Sequence, residues 1–225
     1  MSLIDLDAFH RAPLVREPFN FTVVKEVIRP ADGAAIRADF PDIADSGLLP
    51  IEATHFGPKF RQLIDELKSE EVARAFSEKF RVNLVGRPQM ITVRGRCSAK
   101  DGRIHTDTPT KLITALIYFN DRWEASGGRL RLLRSPTDLN DMIGEVPPEC
   151  GTMIAFRRSD KSWHGHEPYE GVRRTVMINW MTSDLAARRE LFRHRLSALA
   201  KQAMSLLKPR RADGPQTAPR GASAP

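Results

Sequence analysis

Between residues 88 and 182 the chain passes through five short apolar or β-branched runs: Met90–Val93, Leu112–Phe119, Leu130–Leu133, Thr152–Phe156 and Thr175–Met181. The breaks between them are turn chemistry, Lys100-Asp101-Gly102, Ser126-Gly127-Gly128, Ser135-Pro136 and Pro147-Pro148. No helical period intervenes. Without helices to carry parallel crossovers, strand-length runs at this spacing predict an antiparallel sandwich or barrel.

What flanks this region is helical. Phe21–Ile28 has strand composition, and Pro30 opens an Ala-rich stretch suited to a helix. Phe60, Leu63, Ile64 and Leu67, then Val72, Phe76 and Phe80, recur at helical spacing with charged residues between them. These helices are expected to support a sheet. A last helix is expected over Ser183–Leu207, capped by Ser183 or Asp184, with Leu185, Phe192, Leu196, Leu199, Ala203 and Leu206 on one face. Such a stripe is expected to pack on its own domain; the sharper alternative is a homodimer seam. Residues 208–225 are Pro/Gly/Ala-rich without apolar period and read as a disordered basic tail. The prediction is a mainly β (α+β) single domain over 1–207, with helical support over about 1–87, a β core over about 88–182 and the C-terminal helix.

Composition narrows the function. With 41% hydrophobic and 28% charged residues, and no apolar run near the ~20 residues of a membrane span, the chain is read as neither disordered nor membrane-embedded. Asp5 and Asp7 stand where a secretory signal carries bases, and Cys97 and Cys150 are too few for a disulfide framework and read as small core residues. The expected address is the cytoplasm. Of the net charge of +7, residues 183–225 carry +6. The basicity belongs to one end and reads as a solvated face, not a nucleic-acid interface.

Chemistry concentrates between His105 and Arg173. Residues two apart on a strand share a face about 7 Å apart, so His105 and Asp107 can direct an imidazole and a carboxylate into one cavity. A second imidazole from a neighbouring strand would complete a two-histidine, one-carboxylate facial triad, the set suited to non-haem Fe(II). His-x-Asp alone is a frequent chance pattern. A distal histidine makes the pattern more specific: His164 or His166 on one candidate strand, followed by Arg173 and Thr175. These two share a strand face and offer a carboxylate a guanidinium fork and a hydroxyl. Arg174 points the other way and reads as surface.

In these segments the chain resembles the Fe(II)/2-oxoglutarate-dependent dioxygenases, and within them the prolyl-4-hydroxylase-like branch. The resemblance spans about residues 88–182. It rests on the metal motif, on LITALIYFNDRW (112–123), GGRLRLL (127–133) and PECGTMIAF (148–156), and on the spacing of His164, Pro168 and Arg173. It implies a double-stranded β-helix, or jelly roll, buttressed by N-terminal helices. It also implies Fe(II) on His105, Asp107 and His164, in preference to His166. The implied co-substrates are O2 and 2-oxoglutarate, the latter's distal carboxylate meeting Arg173 with Tyr118 and Thr175 adding contacts; ascorbate is the implied accessory reductant. The implied reaction hydroxylates an unactivated C–H bond of a prolyl/peptidyl or small-molecule substrate, releasing succinate and CO2. Lys100–Arg103 and Ser135–Val146 are the expected substrate-facing loops. Arg96 lies either near a further co-substrate position or at the surface, and Arg157–Asp160 forms either a charged hairpin or a rim for an anionic substrate. Trp123 and Trp163 read as packing residues, with Trp163 able to wall the pocket. A cupin-like metal-binding jelly roll, a binding protein or isomerase without oxygenase activity, is the alternative from another class. A carboxylate clamp argues against it, because a metal-only site needs none.

Overall fold

The computed structural model describes residues 2–193 and 196. Four helices precede the core: α1 (Leu6–Arg11), α2 (Pro30–Ala38), α3 (Pro58–Leu67) and α4 (Glu70–Phe80). Strand β1 (Phe21–Val24) lies between α1 and α2, and β2 (Leu49–Pro50) between α2 and α3. Then come β3 (Gln89–Cys97), β4 (Lys111–Tyr118), β5 (Leu130–Leu133), β6 (Met142–Val146), β7 (Met153–Arg157), β8 (His164–Gly165) and β9 (Gly171–Met181). The strands form an antiparallel six-stranded sheet, β1-β7-β4-β9-β3-β2, and a three-stranded sheet, β6-β5-β8. The architecture is a jelly-roll core with helical support, as the sequence predicts.

Period-two alternation decides what each face of the large sheet meets. Ile91 and Val93 of β3, Ile113, Ala115 and Ile117 of β4, and Val176, Ile178 and Trp180 of β9 all face the helices. There they meet Phe60, Leu63, Ile64 and Leu67 of α3 and Val72, Ala75, Phe76 and Phe80 of α4. Phe76 packs on Trp180 at 4.6 Å between ring centroids. Ser69 caps α4 by accepting from the Val72 amide, and Arg81 ends it in the left-handed conformation. The other parity faces inward, where Leu116, Tyr118, Ile154 and Phe156 pack against Leu130, Leu132 and Val146 of the small sheet. The same inward parity on β3 and β9 delivers the polar side chains described below.

Three expectations change. Phe21–Ile28 is strand only to Val24, because Lys25 and Glu26 turn the chain, with Glu26 at φ 57°. Ser135–Val146 is not a loop throughout: Met142–Val146 forms β6 and pairs with β5. The C-terminal helix is present over residues 184–193 and at 196, with the Ser183 hydroxyl accepting from the Ala186 amide. The described part of its apolar stripe, however, does not pack on its own domain. Leu185, Phe192 and Leu196 are 59%, 62% and 50% exposed, whereas Ala186 and Ala187 are buried against Met90 and Met181 with Leu191 beside them. Small alanines allow a closer approach to the sheet, so they take the inner face. The rest of that helix to Leu207 and the tail 208–225 lie outside the described residues.

Candidate active site

The fold brings His105 and His164 together through their own backbones. Each donates its amide to the other's carbonyl at 3.0 Å, and the rings sit 4.3 Å apart between centroids. The two imidazoles are oriented alike. His105 Nδ1 lies 2.9 Å from the Arg103 carbonyl and His164 Nδ1 lies 2.9 Å from the Ser162 carbonyl. A carbonyl can only accept, so each Nδ1 carries its proton and each Nε2 keeps a lone pair free. The sequence gives no sign of this matched i−2 geometry.

Asp107 completes the cluster. One ligand atom from each of His105, Asp107 and His164 lies within 4.8 Å of the others. Both carboxylate oxygens are held from behind: Lys111 Nζ donates to Oδ1 at 2.7 Å and the Thr114 hydroxyl donates to Oδ2. The Asn179 amide donates to Thr114 Oγ1 at 2.8 Å, which leaves the threonine proton directed at Asp107. Burial alone would raise the Asp107 pKa, but the Lys111 charge, the nearby His164 and the two hydrogen bonds outweigh it and hold the pKa at about 2. The carboxylate is ionised at any physiological pH. His164 is shifted the other way: burial lowers its pKa to about 4, against the pull of Asp107. A neutral His164 imidazole beside an ionised Asp107 carboxylate suits a divalent cation.

His166 lies on the same cavity but outside this cluster. It donates Nδ1–H to the Glu167 carbonyl, and burial lowers its pKa to about 4. Its ring abuts Gly102, where an added Cβ would stand 2.4 Å from Nδ1, and Gly102 has φ +93°. The expected substrate-facing loop Lys100–Arg103 is thus fixed against the cavity wall by a glycine that no other residue can replace without strain.

Arg173 is buried to 3% exposure on the inward face of β9. It donates Nε–H to the Gly128 carbonyl at 2.8 Å and an Nη2–H towards the Tyr118 hydroxyl at 3.5 Å. Of its five N–H donors, three therefore have no hydrogen-bond partner among the described residues. Thr175, two residues on, carries a buried hydroxyl with no partner, and both residues line the cavity. An unpaired guanidinium fork next to an orphan hydroxyl is a cradle for a carboxylate. Tyr118 stands differently from expectation. It is wholly buried, lies behind Arg173 with the guanidinium 5.2 Å above its ring, and does not line the cavity. Burial raises its pKa, so it remains a neutral phenol.

The cavity of about 270 Å3 also takes in Lys111, Leu116, Met177 and Leu130. Three further charged residues, Arg94, Glu190 and Arg193, line it and are not legible in the sequence as site residues. Arg94 faces inward on β3 opposite Thr175 and is paired with Asp101 at 2.6 Å. Alternation carries the signal, since Met90, Thr92 and Arg94 share the parity opposite to the helix-facing Ile91 and Val93. Glu190 reaches the cavity from the C-terminal helix, which no strand pattern could reveal. Conversely, Arg96 is exposed on the outer face beside Arg174. Arg158 bonds the Asp107 carbonyl and pairs with Asp160, forming a braced hairpin. Trp163 does not wall the cavity, and Trp123 packs on Tyr169 while donating to the Gly127 carbonyl.

Two imidazoles and a carboxylate at one end of a jelly-roll cavity, with an unpaired guanidinium and hydroxyl at the other, are groups that could hold a divalent cation together with a small dianionic co-substrate. The chain matches the model of the 2OG-Fe(II) oxygenase superfamily over residues 96–182. On that match it is a 2-oxoglutarate-dependent oxidoreductase, and the matched family uses Fe(II), 2-oxoglutarate and O2. Among solved structures, the fold is similar to a Pseudomonas putida prolyl-4-hydroxylase at 15% identity and TM-score 0.51, covering 78% of this chain and 96% of that one. It is also similar to prolyl 4-hydroxylases from Phytophthora capsici, at 17% identity and TM-score 0.53, covering 79% of this chain and 65% of that one. A third likeness is the viral collagen prolyl hydroxylase of Paramecium Bursaria Chlorella virus-1, at 15% identity and TM-score 0.50, covering 72% and 95% respectively. At these identities the likeness speaks for the fold. A search of curated proteins finds no match. No helix among the described residues is long and apolar enough to cross a membrane.

The donor set fits the family's cofactors. His105 and His164 can present Nε2 lone pairs, Asp107 presents a held anion, and Arg173 with the orphan Thr175 hydroxyl offers donors that a carboxylate could accept from.

Proposed function

We propose that His105, Asp107 and His164 hold Fe(II), that Arg173 and Thr175 receive the distal carboxylate of 2-oxoglutarate, and that the enzyme hydroxylates an unactivated C–H bond of a prolyl/peptidyl or small-molecule substrate with release of succinate and CO2. Bound iron with 2-oxoglutarate and O2 supplies the oxidising power; the chain supplies position. Lys111 and Thr114 fix the Asp107 carboxylate from behind, so its orientation does not depend on the metal. The carbonyls of Arg103 and Ser162 fix both imidazole tautomers. Tyr118 and the Gly128 carbonyl hold the Arg173 fork towards the cavity. Leu116, Leu130 and Met177 give the co-substrate an apolar sleeve between metal and arginine, which excludes water from its methylene chain.

The observation that carries this reading is the pairing of a three-residue ligand cluster with an unpaired buried guanidinium in one cavity. A metal-binding jelly roll of cupin type would gain nothing from burying an uncompensated arginine, which is costly unless a carboxylate arrives to pair it. The test is succinate formation from 2-oxoglutarate in the presence of O2. The wild-type protein is expected to form succinate only when Fe(II) is supplied, and His105→Ala, Asp107→Ala and His164→Ala to form none. Equal turnover by wild type and the three variants would refute the assignment.

A further inference from the structure

The C-terminal helix contributes two residues to the cavity lining, Glu190 and Arg193, that the co-substrate chemistry does not use. Glu190 is a carboxylate only 8% exposed, lining the same cavity as Asp107 and Lys111. Its Oε1 accepts from the Thr108 hydroxyl at 3.4 Å and from Arg193 at 3.2 Å. Thr108 is the next residue but one after Thr106 and directly follows Asp107, so Glu190 stands beside the reacting end of the cavity and not at the Arg173 end. Its second oxygen, Oε2, accepts no hydrogen bond among the described residues.

The neighbouring charges make this unusual. Lys111 is committed to Asp107, with both side chains nearly buried. Arg193 is 67% exposed in its side chain, so water screens most of its charge. Arg94 is paired with Asp101, and Arg173 lies at the co-substrate end. Among the described residues, Glu190 is thus the one acidic side chain lining the cavity besides Asp107. A nearly buried carboxylate retaining an open oxygen favours a donor with positive charge over a neutral one, because charge-assisted hydrogen bonds are about twice as strong.

We infer that Glu190 selects the substrate by receiving an alkylammonium group, so that the enzyme oxidises a C–H bond near a protonated amine. This rests on the oxygenase reading above and narrows its substrate class. The amine comes either from a free amino acid or from the side chain of a peptidyl lysine. A free amino acid fits the small cavity roofed by the helix; a lysyl side chain would enter as a thread.

The test uses the full chain with Fe(II), 2-oxoglutarate and O2. Succinate formation above the rate without added compound is measured for the free proteinogenic amino acids, their N-acetyl counterparts, and N-acetylated peptides with and without lysine. Stimulation is expected to be confined to compounds bearing a free ammonium group. Lysyl peptides acting alone would identify the peptide source, and free amino acids acting alone the small-molecule source. For the best stimulator, Glu190→Gln is expected to reduce the preference for amine over acetylated compound by about 10- to 100-fold, through KM. The calorimetric affinity of that amine for the protein loaded with Mn(II) and N-oxalylglycine should fall by a similar factor. Glu190→Asp retains the charge and should recover part of the preference, which a role in helix packing alone would not predict. Acetylated compounds stimulating as well as free amines, no compound stimulating, or Glu190→Gln keeping the preference would each overturn the inference. Absence of succinate even without added compound would instead overturn the oxygenase reading, and this one with it.

Discussion

Replacing Arg173 by methionine should separate the two ends of the cavity. Methionine retains an unbranched stem of similar reach, so the space on β9 stays filled, but the fork is lost. In the wild type three N–H donors of this 3%-exposed guanidinium are without hydrogen-bond partners among the described residues. A carboxylate accepting two charge-assisted hydrogen bonds gains about 1.5–3 kcal/mol from each, or about 3–6 kcal/mol. The Thr175 hydroxyl contributes alike in both proteins and cancels from the difference. The net loss of about 3–6 kcal/mol corresponds to a ~100- to 20000-fold weaker affinity for 2-oxoglutarate. The metal end is untouched, because Arg173 makes no hydrogen bond to His105, Asp107 or His164. Isothermal calorimetry with Mn(II) and then with 2-oxoglutarate reads the two affinities in turn. The Gly128 carbonyl loses its donor, so a modest fall in melting temperature is expected and is measured in parallel. A folded Arg173→Met protein that binds 2-oxoglutarate within threefold of wild type would refute the cradle argument.

The remaining expectations concern metal choice, backbone, core and pH. His166→Ala should retain Mn(II) binding while His164→Ala abolishes it, as read by electron paramagnetic resonance titration. Gly102→Ala forces a Cβ to within 2.4 Å of His166 Nδ1 at φ +93°, and should cost about 2 kcal/mol or more in denaturant unfolding. Phe76→Ala removes the ring stacked on Phe9 and Trp180 between the helices and the large sheet, and should cost about 3–5 kcal/mol in the same assay. Because burial raises the folded-state pKa of Tyr118, the unfolded chain loses that proton first as pH rises. Its contribution is intact below about 10, the unfolded value, and is lost progressively above it. Unfolding free energy should therefore fall in alkali, and fall less steeply in Tyr118→Phe.

Most of what places the site was legible because it repeats locally. β-Branched runs separated by Gly and Pro marked the strands that carry Arg173 and Thr175, and the His-x-Asp pair marked one end of the cavity. Strands β2 and β8 are two residues long, too short for any period to register, although β8 carries His164. β6, Met-Ile-Gly-Glu-Val, carries a glycine and an acid in the middle and borrows its conformation from pairing with β5. The C-terminal stripe was visible, but periodicity tells which residues share a face and not which face meets the domain. Here Ala186 and Ala187 won that contact over Leu185 and Phe192, because small side chains let the helix approach Met90 and Met181. Lys111, Thr114 and Asn179, which hold Asp107, sit on two different strands. Their convergence depends on the register of β4 against β9, with Thr114 opposite Asn179, and register is a property of the assembled sheet.

The most direct measurement is a crystal structure of the protein soaked with Mn(II) and N-oxalylglycine. The metal should bind Nε2 of His105, Nε2 of His164 and one oxygen of Asp107, with the inhibitor's distal carboxylate on Arg173 and Thr175. Density showing the metal on His166, or the carboxylate turned away from Arg173, would contradict the account.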